Sequence, residues 1–462
     1  MGIYGALSTA VTGLRAQSFA LENISGNIAN SQTTGYKRVE TDFVDLIPDA
    51  PNKRQVAGSV LAQSRSTNTI GGDVKTASTE TFMAINGSGF FVVEPKIGQS
   101  DGQAQFAGTN FYTRRGDFDL DKSGFLVNGA GNYLKGLPID KQTGNVSGSV
   151  PEVIKISNSF LPASPTTRVQ YQLNLPQKPQ NPGAEPGVVG SELLVPADYA
   201  NDPTAGTAGN GFIQSADNAL FLENSVAGSA VTVFSANGAP ANVQVRWAKI
   251  DSAETGGADT WNMFYLENSA ATGTAPMWRN ANPAVDYTFG ADGSPSPAIS
   301  STTVTGLTVN GVNVGNITLD FGSNGITQYA DADGSTNVTE LKQNGYGAGE
   351  YMSVVINENG RIAASYTNGQ QVEIAQVVTA SFNGAEQLKR MDGGLFASTS
   401  ESGEPILDTS GDGVIGAAVE SSNTDISEEV TKLIVTQQAY AAGTRIVSTA
   451  DQMMQEALNM VR

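Results

Sequence analysis

The chain contains neither cysteine nor histidine. Without cysteine there is no disulfide, thiolate nucleophile or thiolate metal site. Without histidine the commonest general base and metal ligand is missing. The lack of cysteine also suits a protein that leaves the cell unfolded through a narrow channel. Basic residues are scarce, with 26 Lys and Arg against 45 Asp and Glu, for a net charge of −19. None falls between Pro179 and Val245. Phosphate recognition needs clustered Lys or Arg, so the composition argues against a nucleic-acid partner. The acidic middle would also repel anionic lipid. No run of about 18 apolar residues occurs, so no membrane span is expected. Residues 1–14 lack the basic start and unbroken apolar stretch of a cleaved secretory signal, so export is expected to use a route without one.

What is present is small, polar and turn-rich. Charged residues are 15 % of the 462, and glycines number 52. Apolar residues are nonetheless spread along the whole length, which excludes a disordered chain. The length suggests roughly two to four domains.

The two ends carry heptad patterns. Ile3, Leu7, Ala10, Leu14, Gln17, Leu21, Ile24 and Ile28 alternate in spacings of four and three, and Leu7, Leu14, Leu21 and Ile28 form a strict line of period seven. Such a narrow stripe is a coiled-coil seam rather than the broader face of a globular helix. At about 1.5 Å per residue it would span roughly 38 Å. Asn30 and the Thr33-Thr34-Gly35 turn should end it. At the other end Ile426, Leu433, Tyr440, Val447, Met454 and Val461 recur every seven residues. A more polar companion line runs through Val430, Gln437, Thr444, Asp451 and Leu458. Asp425 is placed to cap this helix, with Glu428 reaching back as in a capping box. Gly443 is a weak point that costs about 1 kcal/mol relative to Ala. Either helix alone would suit an ordinary domain core. Two of them around a long β-rich interior instead suggest stripes covered by each other and by neighbouring subunits.

From residue 76 the pattern turns to short alternating strands. Segments 82–85 and 89–93 flank Asn86-Gly87-Ser88, a hairpin signal. Segments 111–113, 118–120 and 125–127 continue the strands, with Asp121-Lys122-Ser123-Gly124 as a turn. A proline-bearing stretch over 162–186 opens a second β-region with strands at 231–234, 243–248 and 317–321. Segments 354–356, 361–366 and 372–378 return to the earlier style. The expected fold class is mixed and mainly β, with nested antiparallel β-domains and N- and C-terminal α-helices forming a coiled coil. The expected organisation is a terminal helical domain (1–30 and 424–462), an extended linker region (31–75 and 400–423), a first β-domain (76–155 and 355–399) and an inserted outer β-domain (156–354).

Candidate chemistry is thin. Asp408-Thr409-Ser410-Gly411-Asp412-Gly413 and the loop of Asp119, Asp121, Ser123 and Gly124 resemble fragments of a calcium loop. Each lacks the bidentate Glu at position twelve, so both read as Asp/Gly turns. No phosphate loop occurs, and no spacing singles out a carboxylate pair for glycoside hydrolysis. Trp247, Trp261 and Trp278 would suit a carbohydrate groove or, as the plainer reading, buried anchors of the inserted domain. No catalytic, cofactor or metal residues are assigned.

Several segments together resemble one family. Asn27-Ile28-Ala29-Asn30-Ser31 with Thr34-Gly35-Tyr36-Lys37 is similar to the motif that opens bacterial flagellar rod and hook axial proteins. Glu420-Ser421-Ser422-Asn423-Thr424-Asp425, Ile434-Val435-Thr436-Gln437-Gln438-Ala439-Tyr440 and Ala450-Asp451-Gln452-Met453-Met454 are similar to the motif that closes them. Ile85-Asn86-Gly87-Ser88-Gly89-Phe90-Phe91-Val92-Val93, Tyr112-Thr113-Arg114-Arg115-Gly116-Asp117-Phe118 and Tyr133-Leu134-Lys135-Gly136 resemble the family's first β-domain. The match covers roughly residues 1–155 and 355–462, and the long insertion favours a hook-type over a rod-type member. The resemblance implies a non-enzymatic subunit that polymerises with itself into a curved, flexible extracellular tube joining rod to filament. It implies no cofactor, and as partners the flagellar export apparatus, a hook cap, the distal rod and the hook–filament junction proteins. A rod or junction protein of the same axis, or a secreted carbohydrate-binding or adhesion protein, are the alternatives.

Overall fold

The computed structural model describes residues 3–46, 59–100, 103–140, 143–204, 211–323, 325–357 and 359–460. The chain divides into two compact units. One comprises Met1–Asn158, Tyr351–Ser365 and Gln371–Arg462, and the other comprises Ser159–Glu350 and Tyr366–Gln370. The second unit therefore interrupts the first in sequence.

The first unit begins with helix α1 (Ile3–Ala29) and ends with the longest helix, α3 (Ile426–Met460). After α1 the chain turns at residues 30–36, where the Asn30 amide carries the side-chain bond to the Gly26 carbonyl at 2.9 Å. Strands β1 (Val39–Leu46) and β2 (Ser59–Ser66) then pair antiparallel, Val39 opposite Ser66 and Leu46 opposite Ser59. The β-part follows as β3 (Val74–Thr76), β4 (Met83–Ile85), β5 (Phe90–Ser100), β6 (Gln103–Phe106), β7 (Phe111–Thr113), β8 (Phe118–Leu120), β9 (Leu126–Asn128) and β10 (Asn132–Pro138). The central sheet runs β10, β5, β7 and then the late strand Leu395–Ala397. β5 is covered on both faces. Phe91 and Val93 join one core cluster with Met83, Phe118 and Leu134, and Phe90 and Val92 join another with Tyr112, Phe382 and Phe396. Cover on both sides accounts for the unbroken Phe90-Phe91-Val92-Val93 run where a half-exposed strand would alternate.

The β8–β9 hairpin closes on the expected turn, with Asp121 Oδ1 accepting from the Ser123 and Phe125 amides at 2.8 and 2.9 Å. The hairpin expected around Asn86-Gly87-Ser88 does not form. β4 pairs with Val414–Gly416 and β5 with β7 and β10. The Asn86 N–H donates to the Gly413 carbonyl at 2.7 Å, and Arg114 holds the Gly87 carbonyl. Long-range pairing with the returning C-terminal segment has overridden a favourable local turn. β3 is likewise joined to Ala418–Glu420.

The second unit packs two sheets around one large core. One holds Ser301–Val309, Val312–Asp320, Arg168–Asn174, Ile326–Thr327 and Asn337–Gln343; the other is centred on Pro240–Asp251 and Asp259–Leu266. Helix α2 (Asn218–Glu223) lies beside the second. The expected antiparallel pattern has two exceptions among the described strands, since Arg168–Asn174 runs parallel to both Val312–Asp320 and Ile326–Thr327. All three tryptophans are buried in this unit. Trp247 donates to the Tyr171 hydroxyl at 3.0 Å and Trp278 to Asn218 Oδ1 at 2.8 Å. They are core anchors and line no surface groove.

Candidate functional site

The terminal helices pack antiparallel within the first unit. Near one end of the pair Asn27 Nδ2 donates to Glu429 Oε2 at 3.0 Å. Nearer the other end Leu14 lies against Gly443, where an added Cβ would stand 2.9 Å from Leu14 Cδ2. Gly443 therefore trades helix propensity for close approach of the two helices. By this register the start of α1 faces about residue 454, and the last turn of α3 runs past it.

The covered faces are narrow. On α1 the buried positions are Ala16, Ala20, Ile24 and Asn27, while Leu7, Ala10, Leu14, Leu21 and Ile28 are half-buried. On α3 the covered line is Glu429, Thr436, Gly443 and Ala450, flanked by half-buried Leu433, Val447 and Met454. Ile426, Val430, Tyr440 and Leu458 are exposed, Leu458 to 69 %. Gln437, Thr444 and Asp451 are exposed as well. The Ile3 side chain and Val461 lie outside the described residues. Ile434, Val435, Ile446, Met453 and Met460 add further exposed apolar groups on α3. Together these residues give α3 an extended apolar face with no cover inside the chain. A groove of ≈ 420 Å³ also opens between α1, β1 and α3, with Ile24, Phe43, Glu429 and Lys432 among its lining.

Polar contacts fix the roots of both helices. The Asn27 amide uses its full capacity. Nδ2 donates to the Val39 carbonyl at 2.9 Å and to Glu429, and Oδ1 accepts from the Val39 N–H at 2.9 Å and the Tyr36 hydroxyl at 3.2 Å. Asn423 Oδ1 accepts from the Arg38 N–H at 2.7 Å, and its amide donates to Thr67 Oγ1 at 3.1 Å. Asp425 caps α3, accepting from the Ser427 and Glu428 N–H groups at 2.7 and 3.3 Å. Glu428 does not turn back on the cap. Its carboxylate takes Lys432 at 2.8 Å and Arg38 at 2.9 Å, and these bonds, Lys432 first, hold it below the usual carboxylate range. Ala29 is exposed at the end of α1, and Thr34 is half-buried in the following turn.

Beneath these roots lies a buried ion cluster. Glu420 accepts from Lys37 Nζ at 2.5 Å and from Arg114 at 3.1 Å, and all three side chains are at most 1 % exposed. Glu420 also accepts from the Gly72 N–H at 2.8 Å, and Lys37 donates to the Ile70 carbonyl at 2.7 Å. Arg114 sits over the Phe90 ring, 5.2 Å from its centre. Burial pushes Lys37 and Arg114 below their ordinary values, and Glu420 opposes that shift in each. Glu386, which accepts from the Asn68 and Thr69 N–H groups at 2.9 and 3.0 Å, is a second carboxylate whose field acts on Lys37. The cluster joins the chain just after α1, the strand just before α3 and the β-core. Gly35 belongs to the same joint. Its φ is +64°, and a Cβ there would stand 2.6 Å from the Arg114 carbonyl carbon. Gly35→Ala is expected to cost about 1–3 kcal/mol or more, read as a lowered urea midpoint of the first unit.

Arg114 and Glu420 were visible in the sequence only as parts of separate motifs. Glu420 lies 383 residues from Lys37 and 306 from Arg114, and no local pattern pairs them.

The loop of Asp408 is closed by its own turn bonds, Oδ1 accepting from the Ser410 N–H at 2.9 Å and hydroxyl at 2.7 Å. Among the described residues no group of three or more Asp, Glu, His or Cys side chains is gathered to hold an ion. No described helix is long and apolar enough to cross a membrane.

The fold and this site define a β-domain protein with paired terminal helices, one carrying an uncovered apolar face, rooted by a buried ion cluster. Family models agree in order along the chain: "Flagella basal body rod protein" matches residues 7–37 and "Flagellar hook protein FlgE/F/G D1 domain" residues 84–177. "Flagellar basal body protein FlaE D2 domain" matches 223–346 and "Flagellar basal body rod FlgEFG protein C-terminal" 416–460. The chain is 27 % identical over 467 residues to flagellar hook protein FlgE of Brucella suis, covering 100 % of both chains. It is 28 % identical over 458 residues to flagellar hook protein FlgE of Salmonella typhimurium, covering 98 % of this chain and 99 % of that one. The crystal structure of Helicobacter pylori flagellar hook protein FlgE2 matches with a TM-score of 0.48 and 16 % identity, over 75 % of this chain and 99 % of that one. The chain belongs to the flagellar hook protein family.

Proposed function

We propose that this chain polymerises with itself into the flagellar hook, the curved, flexible extracellular tube that couples the rod to the filament. The observation that carries the reading is the uncovered apolar surface of α3, from Ile426 to Met460, on a chain related along its whole length to hook proteins. Copies of the same helices would cover Val430, Tyr440 and Leu458 and complete the half-covered lines of Leu7, Leu14, Leu21, Ile28, Leu433, Val447 and Met454. The ion cluster around Glu420 would pass load from this helical layer into the first β-domain. The export apparatus, the hook cap, the distal rod and the hook–filament junction proteins are the partners such a subunit needs in turn. Export without a cleaved signal is part of the same reading.

The experiment is polymerisation of Leu14→Asp and Leu433→Asp chains. Each places a carboxylate where an apolar cover is required. Both are expected to remain soluble and tube-free, with β-sheet circular dichroism intact. Normal tubes from either would refute the seam.

A further inference from the structure

Three polar side chains meet on one face of the first unit's central sheet. β10, β5 and β7 are adjacent in that order. Tyr133 stands opposite Glu94, and Lys135, two residues along, shares the face of Tyr133. Phe111 stands opposite Val93, which puts Asn110 beside Glu94. Lys135 Nζ lies 2.7 Å from Asn110 Oδ1 and 3.1 Å from Glu94 Oε2. The Lys135 and Glu94 side chains are only 7 % and 2 % exposed. Glu94 also accepts from the Gly108 N–H, which fixes the loop that delivers Asn110. The rings of Phe106 and Phe125 meet Tyr133 edge-on at 5.1 and 5.9 Å, supplying apolar surroundings on that face.

We propose that Lys135 and Asn110 join in an intramolecular isopeptide bond, with Glu94 as the catalytic acid–base. A proton passes from the Lys135 ammonium to the Glu94 carboxylate, freeing the amine lone pair. The 3.1 Å contact between Lys135 Nζ and Glu94 Oε2 gives that proton a direct path. The amine attacks Asn110 Cγ. Glu94 gives its proton to the departing amide nitrogen and takes one from the former lysine nitrogen. The Lys135 Nζ–Asn110 Cγ bond forms, the Asn110 Cγ–Nδ2 bond breaks, and ammonia leaves. Nothing is oxidised or reduced, and no co-reactant enters. Holding the three groups at hydrogen-bond range supplies the proximity this otherwise slow reaction needs. The product staples β10 across β5 to the residue that opens β7, and so ties the central sheet against pulling forces. The proposal stands apart from the hook assignment, since it concerns one folded subunit.

Intact mass spectrometry of the purified full chain tests it. The expected mass is one ammonia below that of the sequence, with trypsin failing to cut after Lys135 and a branched peptide joining the Asn110 and Lys135 segments. Lys135→Arg and Glu94→Gln should each restore the lost ammonia. Succinimide formation at an Asn-Gly pair such as Asn86-Gly87 also releases ammonia, but it would leave Lys135 cleavable and would persist in Lys135→Arg. A wild-type chain of full mass, cut normally after Lys135, would overturn the proposal and leave the trio as a buried ion pair with an amide partner. That reading needs no folded variant.

Discussion

Leu458→Asp is expected to leave the isolated subunit folded as before while preventing the tube. Leu458 is 69 % exposed in the single chain, beyond the part of α3 that faces α1. Exposed substitutions of this kind shift stability by only about 0.5 kcal/mol. In the proposed assembly the same position would be covered, and a carboxylate stranded in an apolar seam costs several kcal/mol. At about 1.4 kcal/mol per factor of ten, the concentration needed for polymerisation should rise at least about a hundredfold. Leu458→Met, which keeps the apolar volume, should polymerise normally. Sedimentation of polymer against total protein, beside urea melts of the monomer, separates the two effects. A Leu458→Asp chain that assembles at the wild-type concentration would show that the end of α3 is not at an interface. The contrast with Leu14→Asp is informative, because Leu14 already contacts Gly443 inside the subunit.

Glu420→Gln should be the most destabilising single change in the first unit. The substitution preserves shape but strands Lys37 and Arg114, both at most 1 % exposed, without their shared carboxylate. Removing one partner of a buried ion pair typically costs about 3–5 kcal/mol. The loss should appear as an early urea transition of the helices and their roots, read by amide exchange at residues 36–38 and 420–425. Pairing the change with Lys37→Met removes one of the two stranded charges and should restore part of the loss. A Glu420→Gln chain as stable as wild type would mean that the cluster does not anchor the helices.

The mainly β class and the two long terminal helices were legible in the sequence, for a physical reason. A period of seven survives whatever partner covers the stripe, and short strands divided by Gly, Asn and Asp announce themselves locally. The line of α3 that faces α1 was not legible. Hydrophobicity favoured the line of Ile426, Leu433, Tyr440, Val447 and Met454, whereas the most covered line is Glu429, Thr436, Gly443 and Ala450. Small residues let the helices approach, and Glu429 is tolerated because Asn27 and Lys432 satisfy it. Neither reason appears in a hydropathy pattern. The Asn86-Gly87 turn misled in the opposite way, with correct local chemistry outweighed by strands more than 300 residues later. The Lys37–Glu420–Arg114 cluster was hidden because its members are joined only by folding.

Electron microscopy of basal bodies from cells lacking this chain tests the central claim most directly. A hook subunit predicts a complete rod with neither hook nor filament, restored by the wild-type chain and not by Leu458→Asp. A rod that stops short of completion, or a hook of normal length, would contradict it.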